Sequence, residues 1–355
     1  MRLVFVTQAL DPEHGSLAQT LDLVDALAAR TDELVVLARE SRASALPANV
    51  TVRTFDASSK LGRGLAFERA FASTRADAVL VHMVPTFLVL AAPLAKVRRT
   101  PLLLWYTHWN ANRSLRLATA LCDAALSVDR RSFPLDSPKA RGIGHAIDVE
   151  TFSGEPAAAH DGPLRLLWIG RYAPWKGLPT LLDALELAFA GGLDATVELR
   201  GAELTDAERA HRRALEATVS ASRALSERVE FAPAVPRAEI PAVLRAADVV
   251  VSPVEPVAGA TLDKAVYEAA ACARPVVSSN PALEGFLDDL PLQVRVPPRD
   301  PRALARALLD VAAAPSAARA DTGAELRRRV VAGHSLDSWA DAVIGTVAGL
   351  QSRHG

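Results

Sequence analysis

The sequence predicts an α/β protein of two Rossmann-like parallel-sheet domains that face a cleft, followed by a C-terminal helical tail that returns toward the first domain. Three observations carry this prediction. Short apolar runs alternate with helical patterns along most of the chain, the mark of strand–helix–strand units with helices on both sheet faces. The alternation breaks once, at TFSGEPAAAHDGPL (151–164), rich in Gly, Pro and Ala, which sets a linker and a boundary near residue 158. The chain has 355 residues, 50% of them hydrophobic, too many for one ordinary core.

In the first half the strand candidates are LVFVT (3–7), LVVLA (34–38), VTVRTF (50–55), AVLVHM (78–83), LLLWY (102–106) and AALSV (124–128). Helical spacing fills 16–30, 63–73, 86–98 and 113–122. The near-continuous apolar stretch 78–95 approaches bilayer-spanning length, but His82, Pro85, Thr86 and Pro93 divide it into a buried strand and a buried helix. The second half restarts with LRLLWIG (164–170), TVELRG (196–201), RVEFA (228–232), DVVVSP (248–253), RPVVSS (274–279) and LQVRV (292–296). After Val296 only helical patterns remain, at 301–314, 316–332 and 336–351. The expected division is 1–157, 158–335 and a terminal helix over 336–355.

Composition narrows the function classes. A formal net charge of -1 gives no global attraction to nucleic acid. The two cysteines, Cys122 and Cys272, have no CxxC or histidine spacing, so buried thiols in a reducing cytoplasm are expected rather than a disulfide or zinc site. The opening MRLVFVTQALDPEHG turns polar too early for a signal peptide and reads as a first strand. It also lacks the G-x-G-x-x-G of a dinucleotide fold, and no G-x-S-x-G elbow supports a hydrolase.

Two stretches of the second half carry chemistry. In WIGRYAPWKG (168–177) an apolar strand ends at Gly170 and a helical run begins after Gly177, which puts Arg171 and Lys176 at the C-terminal edge of a sheet. A planar guanidinium and a point ammonium there, flanked by glycines, suit a phosphate or diphosphate; solvated loop cations are the alternative. In GATLDKAVYEAAACARPVVSSN (259–280), Gly259 and Ala260 lead to Thr261 as the expected N-cap of a helix, whose free N–H groups form a second anion seat. Glu268 lies on nearly the same helix face, about 10 Å further along, leaning back toward the N-terminus. There a carboxylate can accept two hydrogen bonds from a ribose diol, or it is simply an exposed helix glutamate.

These stretches, with RVEFAPAVPRAEIPAVLRAADVVVSP between them, resemble the donor-binding half of retaining GT-B glycosyltransferases of family 4. The first half is similar to that family at HGSL (14–17), YTHW (106–109) and GHAIDVETF (144–152). The resemblance implies a hexosyltransferase using a nucleoside diphosphate sugar of UDP or GDP type. It implies that Arg171 and Lys176 hold the diphosphate, Glu268 the ribose, and the backbone near Ala234 and Val235 the base. It further implies that His108 bonds the donor sugar and that Gly15 and Ser16 close over the phosphates. The family carries two glutamates as E-x7-E; here Ala260 stands at the first, leaving Glu255, Asp263, Lys264 or backbone to read the sugar.

No paired carboxylates stand at a strand end to hold a divalent ion, so neither metal nor cofactor is expected. The partners expected are a nucleotide sugar and an acceptor: a glycan, a glycolipid or a small metabolite. Lys96, Arg98, Arg99, Arg113 and Arg116, with Lys60, Arg63 and Arg69 nearby, make the first domain locally basic. Peripheral contact with the inner face of a membrane, a phosphorylated acceptor or a plain solvated face all fit that charge. Two rival readings are a non-hydrolysing nucleotide-sugar epimerase and a non-catalytic nucleotide-sugar binding module.

Overall fold

A computed structural model describes residues 1–12, 17, 19–108, 110–255 and 263–352. The chain forms two compact units, the first comprising Met1–Ala146 and the residues from Gly333 on, the second Ile147–Ala332. The first sheet contains β1 (Arg2–Leu10), β2 (Glu33–Ser41), β3 (Val50–Thr54), β4 (Ala78–His82), β5 (Leu102–Trp105), β6 (Ala124–Ser127) and β7 (Ala140–Gly142). Its order is β3-β2-β1-β4-β5-β6-β7, and every pairing is parallel. Leu3 to Val6 of β1 are completely buried, as a central strand covered on both faces requires.

Helices α1 (Thr20–Ala28), α2 (Lys60–Ala72), α3 (Pro85–Arg98) and α4 (Arg113–Leu121) connect these strands. Under α2, α3 and α4 lies one core that joins Val4, Val79 and Leu104 of the sheet to Phe67, Leu88 and Leu115. The apolar stretch 78–95 divides as expected into β4 and α3. Among the described residues no helix is long and apolar enough to cross a membrane.

The second sheet holds β8 (Leu164–Arg171), β9 (Ala195–Ala202), β10 (Val229–Pro233), β11 (Val249–Ser252) and β12 (Val276–Ser278), in the order β10-β9-β8-β11-β12, again all parallel. Its helices are α5 (Leu178–Ala190), α6 (Asp206–Ala221), α7 (Arg223–Ser226), α8 (Ile240–Ala246), α9 (Lys264–Ala271), α10 (Pro301–Ala313) and α11 (Ser316–Gly333). The last helix, α12 (Leu336–Gln351), belongs to the first unit. Its Trp339 is fully buried edge-on to Trp105 at 5.8 Å, and Arg30 reaches Asp337 (2.8 Å) and Asp341 (2.5 Å).

Two expectations need correction, and one strand is not among those expected. The units part at Ala146, before residue 158, because the Gly/Pro/Ala stretch is clamped to the second unit. Arg245 donates to the Ser153 carbonyl (2.9 Å), Arg274 to that of Glu155, and His160 meets Asp248 (2.9 Å). LQVRV forms a single bridge, Arg295 to Ser278, in place of a strand, confined between a turn and Pro297. β7 lacks an apolar run and exists only through its pairing with β6, Ala140 opposite Ala125. Cys122 and Cys272 are free and buried, and burial pushes each thiol up to about 11.

Candidate functional site

In the second sheet the strand order reverses direction between β8 and β11, and in open parallel sheets ligands bind outside the strand C-termini at that point. Arg171 is the last residue of β8. A short turn, Pro174–Lys176, then carries the chain into α5, with Gly177 left-handed at φ 71°. A Cβ on Gly177 would lie 1.7 Å from the Pro253 carbonyl oxygen, so only glycine permits this approach of the β8–α5 turn to the end of β11. The Glu255 amide donates to the Trp175 carbonyl (2.9 Å) and fixes the same junction.

Each cation at this edge has a carboxylate partner. Arg171 pairs with Glu208, whose other oxygen accepts from the Leu204 amide at 2.7 Å. Lys176 Nζ lies 2.6 Å from Asp263 Oδ2 and 4.6 Å from the centre of the Trp175 ring. The Lys176 pair is enclosed, with side chains 9% and 11% exposed, whereas Arg171 keeps half its side chain in solvent. The alternative of two solvated loop cations is therefore wrong for Lys176.

Helix α9 starts later than expected, at Lys264, and its N-cap is Asp263, not Thr261. Asp263 makes no side-chain cap, because its carboxylate is taken by Lys176. Thr261, Gly259 and Ala260 lie outside the described residues, as do Gly15 and Ser16. Glu268 is buried rather than exposed, with Lys264 Nζ at 3.3 Å and Arg237 Nη1 at 3.5 Å. Arg237 follows the exposed Ala234 and half-buried Val235 beyond β10. Through Arg237 and Lys176, then, α9 joins the segment after β10 to the turn after β8. Glu255 points elsewhere, held by Thr180 (3.2 Å) and Arg299 (2.9 Å).

His108 belongs to the first unit, beyond the end of β5. Its Nδ1 accepts from the Asn110 amide at 3.1 Å, its ring meets Tyr106 edge-on at 6.3 Å, and partial burial lowers its pKa below 6.5. Glu208 and Arg237 were not anticipated. Thr205-Asp-Ala-Glu208 does carry a helix N-cap pattern, and Thr205 does accept from the Glu208 amide (3.2 Å), but that pattern names no partner for the carboxylate. Among the described residues no group of three or more His, Cys, Asp or Glu is arranged to hold a metal ion.

Two Rossmann-like parallel-sheet units of this order are the two domains of the GT-B fold, the class of glycosyltransferase structures that this chain is similar to. Residues 163–314, within the second unit, match the family model described as Glycosyl transferases group 1. HepE of Anabaena, in complex with UDP and glucose, is similar with a TM-score of 0.72 at 17% identity, covering 98% of this chain and 100% of that one. Sucrose-phosphate synthase of Thermosynechococcus elongatus gives 0.73 at 18% identity over 99% and 100%. A UDP-forming trehalose-phosphate synthase of Burkholderia xenovorans gives 0.69 at 15% over 99% and 99%. No curated protein matches the sequence.

Proposed function

We propose that this protein is a retaining glycosyltransferase of the family 4 type, moving a hexose from a nucleoside diphosphate sugar to an acceptor hydroxyl in the cytoplasm. The observation that carries the reading is the enclosed Lys176–Asp263 pair, with Arg171 at the end of β8 and Glu268 on α9, at the switch point of a sheet whose span matches the group 1 model. The UDP held by the HepE structure favours a UDP sugar, with GDP the other type to test.

As the glycosidic bond breaks, negative charge grows on the departing diphosphate while the sugar becomes oxocarbenium-like. Cations already fixed at that point favour the transition state over the ground state, without reorganisation. Arg171 and Lys176 take this role, and a diphosphate exchanges with Asp263 for Lys176. Asp263, released beside the phosphate that bears the sugar, is then placed to accept from sugar hydroxyls, which supplies the carboxylate absent at Ala260. Glu268 accepts from the ribose, and Ala234 and Val235 meet the base through their backbone. His108, neutral at pH 7, can donate to or accept from the donor sugar. The acceptor attacks from the leaving-group face, and its proton passes to the leaving phosphate, so no protein nucleophile takes part. The two cations serve in place of a divalent ion.

Thermal shifts with UDP, GDP and their hexose conjugates test the reading. A ligand at 100 times its dissociation constant stabilises by about 2.7 kcal/mol. A shift with one nucleotide series and glycoside formation that survives EDTA is expected; no shift with any nucleoside diphosphate overturns the reading.

A further inference from the structure

The outer surface of the α2–α3–α4 layer combines exposed apolar side chains with unpaired positive charge. Seven large hydrophobic residues stand exposed among the described residues, and four of them, Leu61, Leu65, Val97 and Leu117, are on this layer. Each of these helices follows a parallel strand and runs back along it, so their first turns lie at the C-terminal edge of the sheet. Leu61 and Leu65 sit in the first half of α2, one turn apart, and Leu117 at the middle of α4. Val97 is at the far end of α3 and stands apart from them. Between α2 and α4, α3 lies close enough that a Cβ on Gly64 would touch Leu90 at 3.8 Å.

The charges sort in the same way. Of the basic residues of this layer, Arg63 is paired with Asp56 (3.1 Å), and Arg98 is spent on the carbonyls of Ala72 (2.6 Å) and Thr74 (2.7 Å) at the end of α2. Lys60, Arg113 and Arg116 are exposed and make no ion pair among the described residues. They flank the three leucines, in the first halves of α2 and α4. The first turns of both helices carry only positive charge, and Glu68, one turn beyond Leu65, is the one acidic residue on α2 or α4.

We infer that this face is a docking surface for an anionic lipid bilayer, with Leu61, Leu65 and Leu117 entering the headgroup boundary and Lys60, Arg113 and Arg116 lying among the lipid phosphates. Apolar insertion and charge attraction reinforce each other at such a surface. A nucleic acid is a poorer fit, because among the described residues no aromatic side chain is exposed on α2, α3 or α4 for base stacking. The inference is independent of the glycosyl-transfer reading, since lipid binding needs no donor.

Flotation of the full-length protein with phosphatidylcholine vesicles and with vesicles containing phosphatidylglycerol tests it. Recovery with the anionic vesicles alone is expected, weakening as salt rises. R113E/R116E should lower partitioning by at least about 25-fold, at about fivefold per cation lost. L61S/L65S should lower it as well, and because both side chains are exposed its thermal melting should match the unmodified protein. Equal recovery with neutral and anionic vesicles, or either variant floating like the unmodified protein, overturns the proposal. Nucleotide-induced thermal shifts in the same variants report on donor binding separately.

Discussion

Arg171 and Lys176 occupy one sheet edge with very different surroundings, and their substitutions should differ accordingly. Either one changed to alanine removes a charge from the proposed diphosphate seat and should lower kcat/KM for the donor by about 10²- to 10³-fold. Steady-state kinetics that leave either variant near the unmodified rate would rule out that residue's role. Lys176→Ala also strands Asp263, 11% exposed, without its partner, which should cost about 3 kcal/mol of stability in urea melts. Asp263→Asn weakens the internal competitor for Lys176. Calorimetry should find the nucleoside diphosphate binding about tenfold tighter while hexose transfer slows; unchanged affinity would contradict the exchange of partners. The cations themselves were legible in the sequence, because a strand end, a helix start and two glycines fix their position. Glu208 and Asp263 were not legible as their partners, 37 and 87 residues away, because which carboxylate arrives depends on helix packing that local patterns do not encode.

Among the elements, the turn from β8 to α5 depends most on one residue. Alanine at Gly177 would be forced to φ 71° with its Cβ against a backbone oxygen, so Gly177→Ala should destabilise the second unit by about 3 kcal/mol and loosen the junction holding Lys176. Denaturant melting that shows less than about 1 kcal/mol would mean the turn can shift. Long apolar strands and well-spaced helices were readable because their periodicity reflects burial directly. Burial and periodicity separate at two segments. β7 is a strand only because β6 offers a partner edge, whereas LQVRV has the apolar spacing of a strand but pairs with β12 through a single residue. A threonine can cap a helix, which makes Thr261 the expected start of α9, but the N-cap position is held by Asp263, whose carboxylate pairs with Lys176 instead of capping.

At the scale of the whole molecule, two buried histidines make the first unit acid-sensitive. Burial lowers both His82 and His334 to about 4, and His82 Nδ1 lies 3.1 Å from Thr7 Oγ1. The folded form keeps both rings neutral while the unfolded chain takes up protons below about 6.5. Their contribution to stability is therefore complete above that pH and declines toward pH 4 by about 1.4 kcal/mol per pH unit for each ring. Urea titrations at pH 7, 6 and 5 should show the decline (about one and a half pH units of the window), and His82→Phe, which keeps a ring against Phe5, should roughly halve it. The return of α12 to the first unit has a consequence for biogenesis. Arg30 and Asp341 are 311 residues apart, so the unit whose synthesis starts first is the last to be completed. The second unit, contained in one continuous stretch, can fold on the ribosome while the apolar face of α1 still lacks its partner helix. During that interval a holdase that shields Leu23, Val24 and Leu27 would matter more to yield than any stabilisation of the finished protein.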